Sequence, residues 1–164
     1  MEVTETVVMY GNEVLRKRAE EIEAFNDETR QLIEKMWRIM ADAKGLGLAG
    51  NQIGLSKRIF VYDVSDGQHA MINPETISSS GEESAVEGCL SIPGLQGEVT
   101  RPTSITVSGI NEEGKRVSIR ATGLLARVFQ HEMDHLEGTM FVDRADPDTL
   151  DMIPVDREDR TDRI

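Results

Sequence analysis

Two stretches of the chain carry apolar residues at helical spacing. The first follows Asn26, a typical N-cap residue, and its apolar positions recur every three or four residues until the glycines at 45 and 47. The second begins at Thr122, runs to about Glu137 and is followed by Gly138, a residue that commonly ends helices. The pattern therefore predicts two amphipathic helices, of which the N-terminal one is longer.

The region between the helices alternates polar and apolar residues in short runs typical of strands. Residues 58–64 read as a strand, residues 70–73 as a shorter one closed by Pro74, and the Ser/Gly/Glu-rich residues 78–88 as a loop. Two alternating runs, 104–108 and 116–120, flank a turn and predict a hairpin. The order of elements favours an α+β fold with antiparallel-rich sheets.

Composition and charge narrow the class of protein. The chain has 164 residues, with 18 Lys and Arg against 30 Asp and Glu. This net charge of −12 repels phosphate backbones and argues against a nucleic-acid partner. Cys89 is the single cysteine, which fits a reducing compartment. No segment reads as a signal peptide, and no apolar run approaches the roughly 20 residues that cross a bilayer. We therefore expect a cytoplasmic protein without membrane contact.

The chain reads as one domain, residues 1–142, followed by a short acidic tail, residues 143–164. The tail is rich in Asp, Arg and Pro, and its apolar residues lack helical spacing. We expect it to be at least partly irregular.

The second helix contains the pattern HExxH, formed by His131, Glu132 and His135. Histidines at i and i+4 lie on one helix face and can share a metal ion, and the adjacent glutamate can then handle a proton. At about 100° per residue, all three fall on the apolar, inward arc together with Leu124 and Val128, whereas Arg127 falls at its edge or outside it. Burying them without partners would cost several kcal/mol, and a metal ion with bound water would remove that cost.

A third ligand must come from elsewhere in the chain. In the extended zinc-protease pattern the third-ligand position is Phe141, and the remaining histidine, His69, lies in a turn-like context that reads as surface. Cys89, as a thiolate, is the best soft ligand left. One Cys and two His leave a position open for water, which is typical of a catalytic site.

Three ordered motifs carry a resemblance to a known family. They span Gly45 to Gln52, Glu87 to Ser91 and Gln130 to Gly138, and they match the patterns GxGxAAxQ, EGCLS and QHExDHLxG at every position except Gly50, which replaces an alanine. The chain thereby resembles peptide deformylase, from about Tyr10 to about Val142. That family removes the formyl group from the initiator methionine of new polypeptides, and its strands wrap around a central metal-binding helix.

The resemblance implies a role for each motif residue. It implies Cys89, His131 and His135 as metal ligands and Glu132 as general base and then acid. It also implies an oxyanion held by the Gln52 side-chain amide and the Leu90 backbone N–H. The family commonly uses Fe²⁺, and Zn²⁺ or Ni²⁺ can occupy such ligands.

The substrate implied is an N-formyl-methionyl peptide or nascent chain. We expect Leu124, Val128 and Leu46 to line the pocket for the methionine side chain, with ordinary core packing as the alternative. The glycine backbones at Gly45 and Gly47 would let a peptide lie close and pair like a strand.

Departures from the family pattern add further expectations. Gly50 is expected to loosen the segment before Gln52. Because the tail is acidic, any transient ribosome association is expected not to use a basic C-terminal helix. By resemblance Asp134 would pair with Arg101, although a simple surface charge is the alternative. Two other functions remain open at this point, a zincin-like peptidase and a non-catalytic metal-binding module.

Overall fold

The computed structural model describes residues 2–154 and Ile164. It contains the two predicted helices, α1 (Asp27–Asp42) and α2 (Gly123–Leu136), and a short third helix, α3 (Phe141–Arg144). The Asn26 side chain accepts a hydrogen bond from the Thr29 backbone N–H, and the Thr29 hydroxyl accepts one from the Asn26 N–H. This reciprocal cap satisfies donors that the first turn of α1 would otherwise leave unpaired.

Within the described residues, eight strands form two antiparallel sheets. A five-stranded sheet has the order β1-β2-β3-β6-β7, and a three-stranded sheet has the order β4-β5-β8. The strands are β1 (Gly47–Ala49), β2 (Ile59–Tyr62), β3 (His69–Ser80), β4 (Glu83–Cys89), β5 (Ile92–Arg101), β6 (Ser104–Ile110), β7 (Arg116–Thr122) and β8 (Asp151–Met152). The predicted α+β class, the strand at 58–64 and the hairpin of β6 and β7 are confirmed.

The prediction that Pro74 closes a short strand is wrong. The strand β3 continues through Pro74, because its register against β6 shifts between Ile72 and Glu75 and leaves the proline outside the regular ladder. Asn73 adopts a positive φ of 52° at this bulge. Its side-chain amide exchanges two hydrogen bonds of 2.9 Å with the backbone of Ile22, which holds the bulge in place.

The prediction of a loop at residues 78–88 is also wrong. These residues end β3 and form β4, with a turn at Gly81, where φ is +76°. Most of their side chains are exposed, which is why these residues are rich in Ser, Gly and Glu. The strands exist because the backbone of β3 pairs with β6 and that of β4 pairs with β5, and composition does not reveal such pairing.

The five-stranded sheet lies between the two long helices. All four residues of β2 are buried, and they alternate between two apolar clusters. Ile59 and Val61 join the cluster that contains the apolar face of α1, whereas Phe60 and Tyr62 join the cluster that contains Val128, Phe129 and other residues of α2. This packing makes α2 a central element, with its metal-ligand pattern inside the protein.

The first part of the predicted irregular tail is ordered. Asp151 and Met152 pair with β5, and Ala145 is buried in a third apolar cluster with Cys89 and Phe141. The Asp146 N–H also donates to the Glu98 carbonyl at 2.9 Å. The division at residue 142 stays a prediction, and the rest of the tail, residues 155–163, lies outside the described residues.

None of the helices in the described ranges is long and apolar enough to cross a membrane.

Candidate metal centre

Three side chains that the sequence predicts as metal ligands meet inside the protein. His131 and His135 extend from successive turns of α2, and Cys89 extends from the last residue of β4. Their ligand atoms all lie within 4.8 Å of one another, and the Cys89 Sγ lies 3.4 Å from the His135 Nε2. All three residues are buried, so a cation bound among them would be shielded from bulk water.

Glu87 orients His131, a role that is not predicted from the sequence. The His131 Nδ1 lies 2.9 Å from the Glu87 Oε1, which leaves the Nε2 of His131 free for a ligand. Arg101 donates two hydrogen bonds to the same carboxylate, at 2.6 Å and 3.0 Å, and Arg127 donates one at 2.6 Å. Burial alone would raise the pKa of Glu87, but the hydrogen bonds from His131 and Arg101 outweigh it and lower the pKa.

Glu132 is fully buried, and neither carboxylate oxygen has a hydrogen-bond partner among the described residues. Burial is the main reason that its pKa lies well above the usual range of a glutamate, and the negative charge of Glu87 adds to it. Gly47 makes room for this side chain. A Cβ at residue 47 would lie 2.7 Å from the Glu132 Oε2, so a larger residue would displace the carboxylate.

The side-chain amide of Gln52 is held in one orientation. Its Oε1 accepts the Ala49 N–H at 3.0 Å, and its Nε2 donates to the Ser91 Oγ at 3.0 Å while lying 3.7 Å from the Cys89 Sγ. The carbonyl is thus turned towards the backbone and the NH₂ group towards the cysteine. Ser91 is a further residue of the site that was not predicted, although it is the last residue of the EGCLS motif.

The donor set fits a divalent metal ion. The buried atoms without partners in the described structure include the His131 Nε2 and both Glu132 carboxylate oxygens, and a cation with a bound water would satisfy atoms of this kind. Burial raises the pKa of the Cys89 thiol to about 12 and lowers that of His135, so both groups are neutral at pH 7 without a cation. A metal ion reverses this preference for the thiol, because a coordinating thiol is deprotonated.

The residues predicted to line a substrate pocket differ in exposure. Val128 is fully buried and Leu46 is half-buried beside the same apolar cluster. Leu124 is 45% exposed, so the inward position that the helical wheel predicts for it is wrong: it lies in the first turn of α2, and nearly half of it is accessible to solvent. The space beside Gly45 is filled by the Leu90 side chain, 2.5 Å from an ideal Cβ. The side chains of Leu90 and Glu132 therefore occupy the space beside Gly45 and Gly47, respectively.

Three other expectations can be compared with the structure. The predicted ion pair is confirmed, since the Arg101 Nη1 donates to the Asp134 Oδ2 at 3.0 Å. Arg127, placed by the wheel at the edge of the apolar arc, is buried because it pairs with Glu87. Gly50 does not loosen its segment. A Cβ there would lie 2.7 Å from the Lys57 carbonyl oxygen, so the backbone packs closely against a glycine.

Phe141 and His69, the two other residues considered for the third metal ligand, lie elsewhere in the fold. Phe141 is buried and its ring stacks on His131, with 6.2 Å between the ring centroids. His69 lies on β3, where its Nδ1 is 3.2 Å from a carboxylate oxygen of Glu112. Neither supplies a ligand to the cluster of Cys89, His131 and His135.

Comparisons with known proteins agree with this geometry. The family model for polypeptide deformylase matches residues 4–150. A peptide deformylase from Carboxydothermus hydrogenoformans is 49% identical over 140 residues, which is 85% of this chain and 92% of the relative. The crystal structure of peptide deformylase from Thermotoga maritima has a TM-score of 0.85 at 41% identity, covering 88% of this chain and 99% of that one. The crystal structure of the enzyme from Synechococcus elongatus in complex with actinonin has a TM-score of 0.83 at 42% identity, covering 85% of this chain and 78% of that one. The chain belongs to the peptide deformylase family.

Proposed function

We propose that this chain is a metal-dependent hydrolase that removes the formyl group from the initiator formyl-methionine of newly made polypeptides and releases formate. The observation that carries this proposal is the meeting of one Cys and two His ligand atoms within 4.8 Å, with the buried carboxylate of Glu132 on the same helix. Family membership supports the same reaction.

Cys89, His131 and His135 would hold one divalent ion. We expect Fe²⁺ as the native ion, with Zn²⁺ or Ni²⁺ as substitutes. When bound, such an ion lowers the pKa of a water molecule to near neutrality and polarises a carbonyl oxygen. The three ligands leave a coordination position open, as catalytic metal sites do.

Glu132 moves the proton. Its raised pKa and its lack of a fixed partner suit a group that first takes a proton from the attacking water and then gives it to the leaving peptide nitrogen. Water adds to the formyl carbon, the C–N bond breaks, and formate and a free amino terminus result. The carboxylate ends the cycle in the protonation state in which it began.

Gln52 and Leu90 would stabilise the oxyanion that forms when water adds to the formyl carbon. The Ala49 N–H holds the carbonyl end of the Gln52 amide, and this keeps the NH₂ group beside the Cys89 Sγ, next to the ligand cluster. The Leu90 backbone N–H follows Cys89 directly and so lies beside the ligand cluster. Losing one such donor typically costs 10²–10³ in rate.

The methionine side chain would enter between α2 and β1. Val128 and Leu46 would line this pocket, and the exposed Leu124 would form its rim. Gly45 and Gly47 would contribute backbone groups, because β1 is an edge strand of the five-stranded sheet and can pair with an extended peptide. Such pairing ignores side-chain identity, which suits an enzyme that processes many different N-termini.

The two rival functions lack support in the site. A zincin-like peptidase would need a third ligand near residue 141, where the described structure has a stacked phenylalanine. A closed structural metal site would not place an unpartnered, buried carboxylate beside its ligands, since that arrangement costs stability without gain. We further expect the enzyme to act in the cytoplasm, and any ribosome contact to use a surface other than a basic C-terminal helix.

The proposal is tested by formate release from a formyl-Met tripeptide. Protein loaded with Fe²⁺ without oxygen, or with Ni²⁺, should release formate, whereas the acetyl-Met tripeptide should remain intact. Chelating the metal should abolish turnover and leave the circular dichroism spectrum in place. A folded, metal-loaded chain that releases no formate would contradict the proposal, and unfolding on chelation would support the structural module.

We expect Gly47→Ala to lower kcat by about 10²-fold with a much smaller change in KM, because the added methyl group displaces the Glu132 carboxylate. Gly45→Ala is the matched comparison. Its methyl group meets the end of the Leu90 side chain, which can rotate away, so its effect on kcat should be clearly smaller. Equal losses of kcat in the two variants would show that the space at residue 47 does not position Glu132.

A further inference from the structure

Ile164 lies inside the protein, at the site just described. It is only 2% exposed, although it belongs to a polar, acidic tail. Its backbone N–H donates to the Gly88 carbonyl at 3.4 Å, and its carbonyl accepts the Leu90 N–H at 3.2 Å. Bonds to residues 88 and 90 follow the pattern of a parallel strand pair in which Cys89 is the opposite residue. Ile164 is thus paired with the segment that carries a metal ligand.

The Ile164 side chain fills apolar space of the proposed methionine pocket. It belongs to the same buried cluster as Val128 and Phe129 of α2, and Leu46 packs against that cluster. An aliphatic side chain of this size resembles methionine in volume and hydrophobicity. Ile164 thus occupies the pocket and makes the strand-like hydrogen bonds at the same time.

A formylated substrate and Ile164 cannot occupy this site at the same time. The Leu90 backbone has a single N–H, which the proposed mechanism directs at the oxyanion and which the structure directs at the Ile164 carbonyl. Ile164 also packs in the apolar cluster of Val128, where the proposed function places the methionine side chain. Binding of either ligand therefore requires departure of the other.

We propose that the substrate groove is also a binding site for this chain's own Ile164, which competes with formyl-methionyl peptides. The inference rests on the proposed function, because it assigns the same pocket and the same N–H to both ligands. Two hydrogen bonds and one aliphatic side chain make a weak contact. A short covalent link supplies an effective concentration on the order of 1 mM, however, which is enough for a weak ligand to occupy its site for much of the time.

Occupancy by Ile164 has a defined kinetic consequence. An intramolecular competitor raises the apparent KM by the inverse of the unoccupied fraction and leaves kcat unchanged, because saturating substrate displaces it. We therefore expect Ile164→Ser to lower KM for a formyl-Met tripeptide by about 2- to 10-fold at constant kcat. Met152→Ser is the matched control, since Met152 is 66% exposed on β8 and lies outside the pocket.

Hydrogen exchange of the Leu90 amide provides a readout that does not depend on turnover. In the full-length, zinc-loaded parent and in Met152→Ser this amide should be protected, and in Ile164→Ser it should exchange at least several-fold faster. Unchanged exchange in Ile164→Ser would overturn the binding of Ile164, and faster exchange with an unchanged KM would overturn the competition. If the parent released no formate at all, the proposed function would fail, while the exchange rates would still decide whether Ile164 occupies the groove.

Discussion

Glu132→Gln is expected to lower kcat for formate release by about 10³-fold while the metal remains bound. The substitution keeps the shape of the side chain and removes its ability to accept a proton, and proton transfer by a positioned group typically contributes 10²–10⁴-fold. Because no ligand atom is changed, the metal content per chain should equal that of the parent. Rates under substrate saturation and elemental analysis of the same samples would measure both effects.

The fold of this variant should be intact. Burial raises the pKa of Glu132, which means that the ionised carboxylate is disfavoured in the metal-free fold, and a neutral amide avoids that penalty. The free energy of unfolding of the metal-free variant should therefore be no lower than that of the parent. Glu34→Gln, at an exposed position of α1, is the matched control and should retain full activity. A Glu132→Gln enzyme with more than a tenth of the parental kcat would rule out Glu132 as the proton carrier.

The parts of the molecule that sequence reasoning predicted well depend on local patterns. The hairpin of β6 and β7 is visible as alternation around a turn, and α2 is visible as a capped apolar arc. His131 and His135 could be placed together because helical geometry alone brings residues at i and i+4 to one face. Glu132, about 100° further round the helix than His131, still falls within the same apolar arc. No local pattern joins Cys89 to α2, so it was reached by elimination, as the best soft ligand left in the chain, and the order of the motifs then supported it.

The parts that could not be predicted depend on contacts between distant segments. The strand pairing of residues 78–88 is backbone bonding to β5 and β6, and the exposed Ser and Glu side chains carry no trace of it. From the sequence, Gly50 was expected to loosen the segment before Gln52, because the sequence shows only that it lacks a side chain. In the fold its backbone packs against the Lys57 carbonyl oxygen, so the same residue allows a closer contact.

Glu87 is the clearest example of a residue whose role is set by distant contacts. The motif contains it, but nothing in the chain between residues 87 and 131 indicates that its carboxylate receives hydrogen bonds from two arginines and one ligand histidine. The burial of Arg127 is likewise not visible on the wheel, which places it at the edge of the apolar arc or outside it, because its partner Glu87 belongs to another element. A buried carboxylate with cationic partners both stabilises the fold and fixes the histidine tautomer.

Glu87→Gln is therefore expected to affect stability and metal binding together. Arg101 and Arg127 would be left buried without their shared carboxylate, and removing one partner of a buried ion pair typically costs about 3–5 kcal/mol of unfolding free energy. The amide offers one acceptor oxygen in place of two, so its NH₂ group would face a donor, either an arginine or the Nδ1–H of His131. Disturbing the hydrogen-bond partner of a metal-binding histidine typically lowers metal affinity by about 10- to 100-fold. Denaturant unfolding of the metal-free protein and competition with a metal chelator would measure the two effects separately.

The loss of stability expected for Glu87→Gln depends on pH. Because the pKa of Glu87 is lowered in the fold, its ionised form stabilises the protein above the usual pKa range of a glutamate, and that contribution is lost as the pH falls below it. The difference in stability between the parent and Glu87→Gln should accordingly be largest near pH 7 and shrink in acid. Glu83→Gln, on the same strand but exposed, should match the parent in stability and metal affinity throughout. A folded Glu87→Gln protein that binds metal as tightly as the parent would show that Glu87 does not set the orientation of His131.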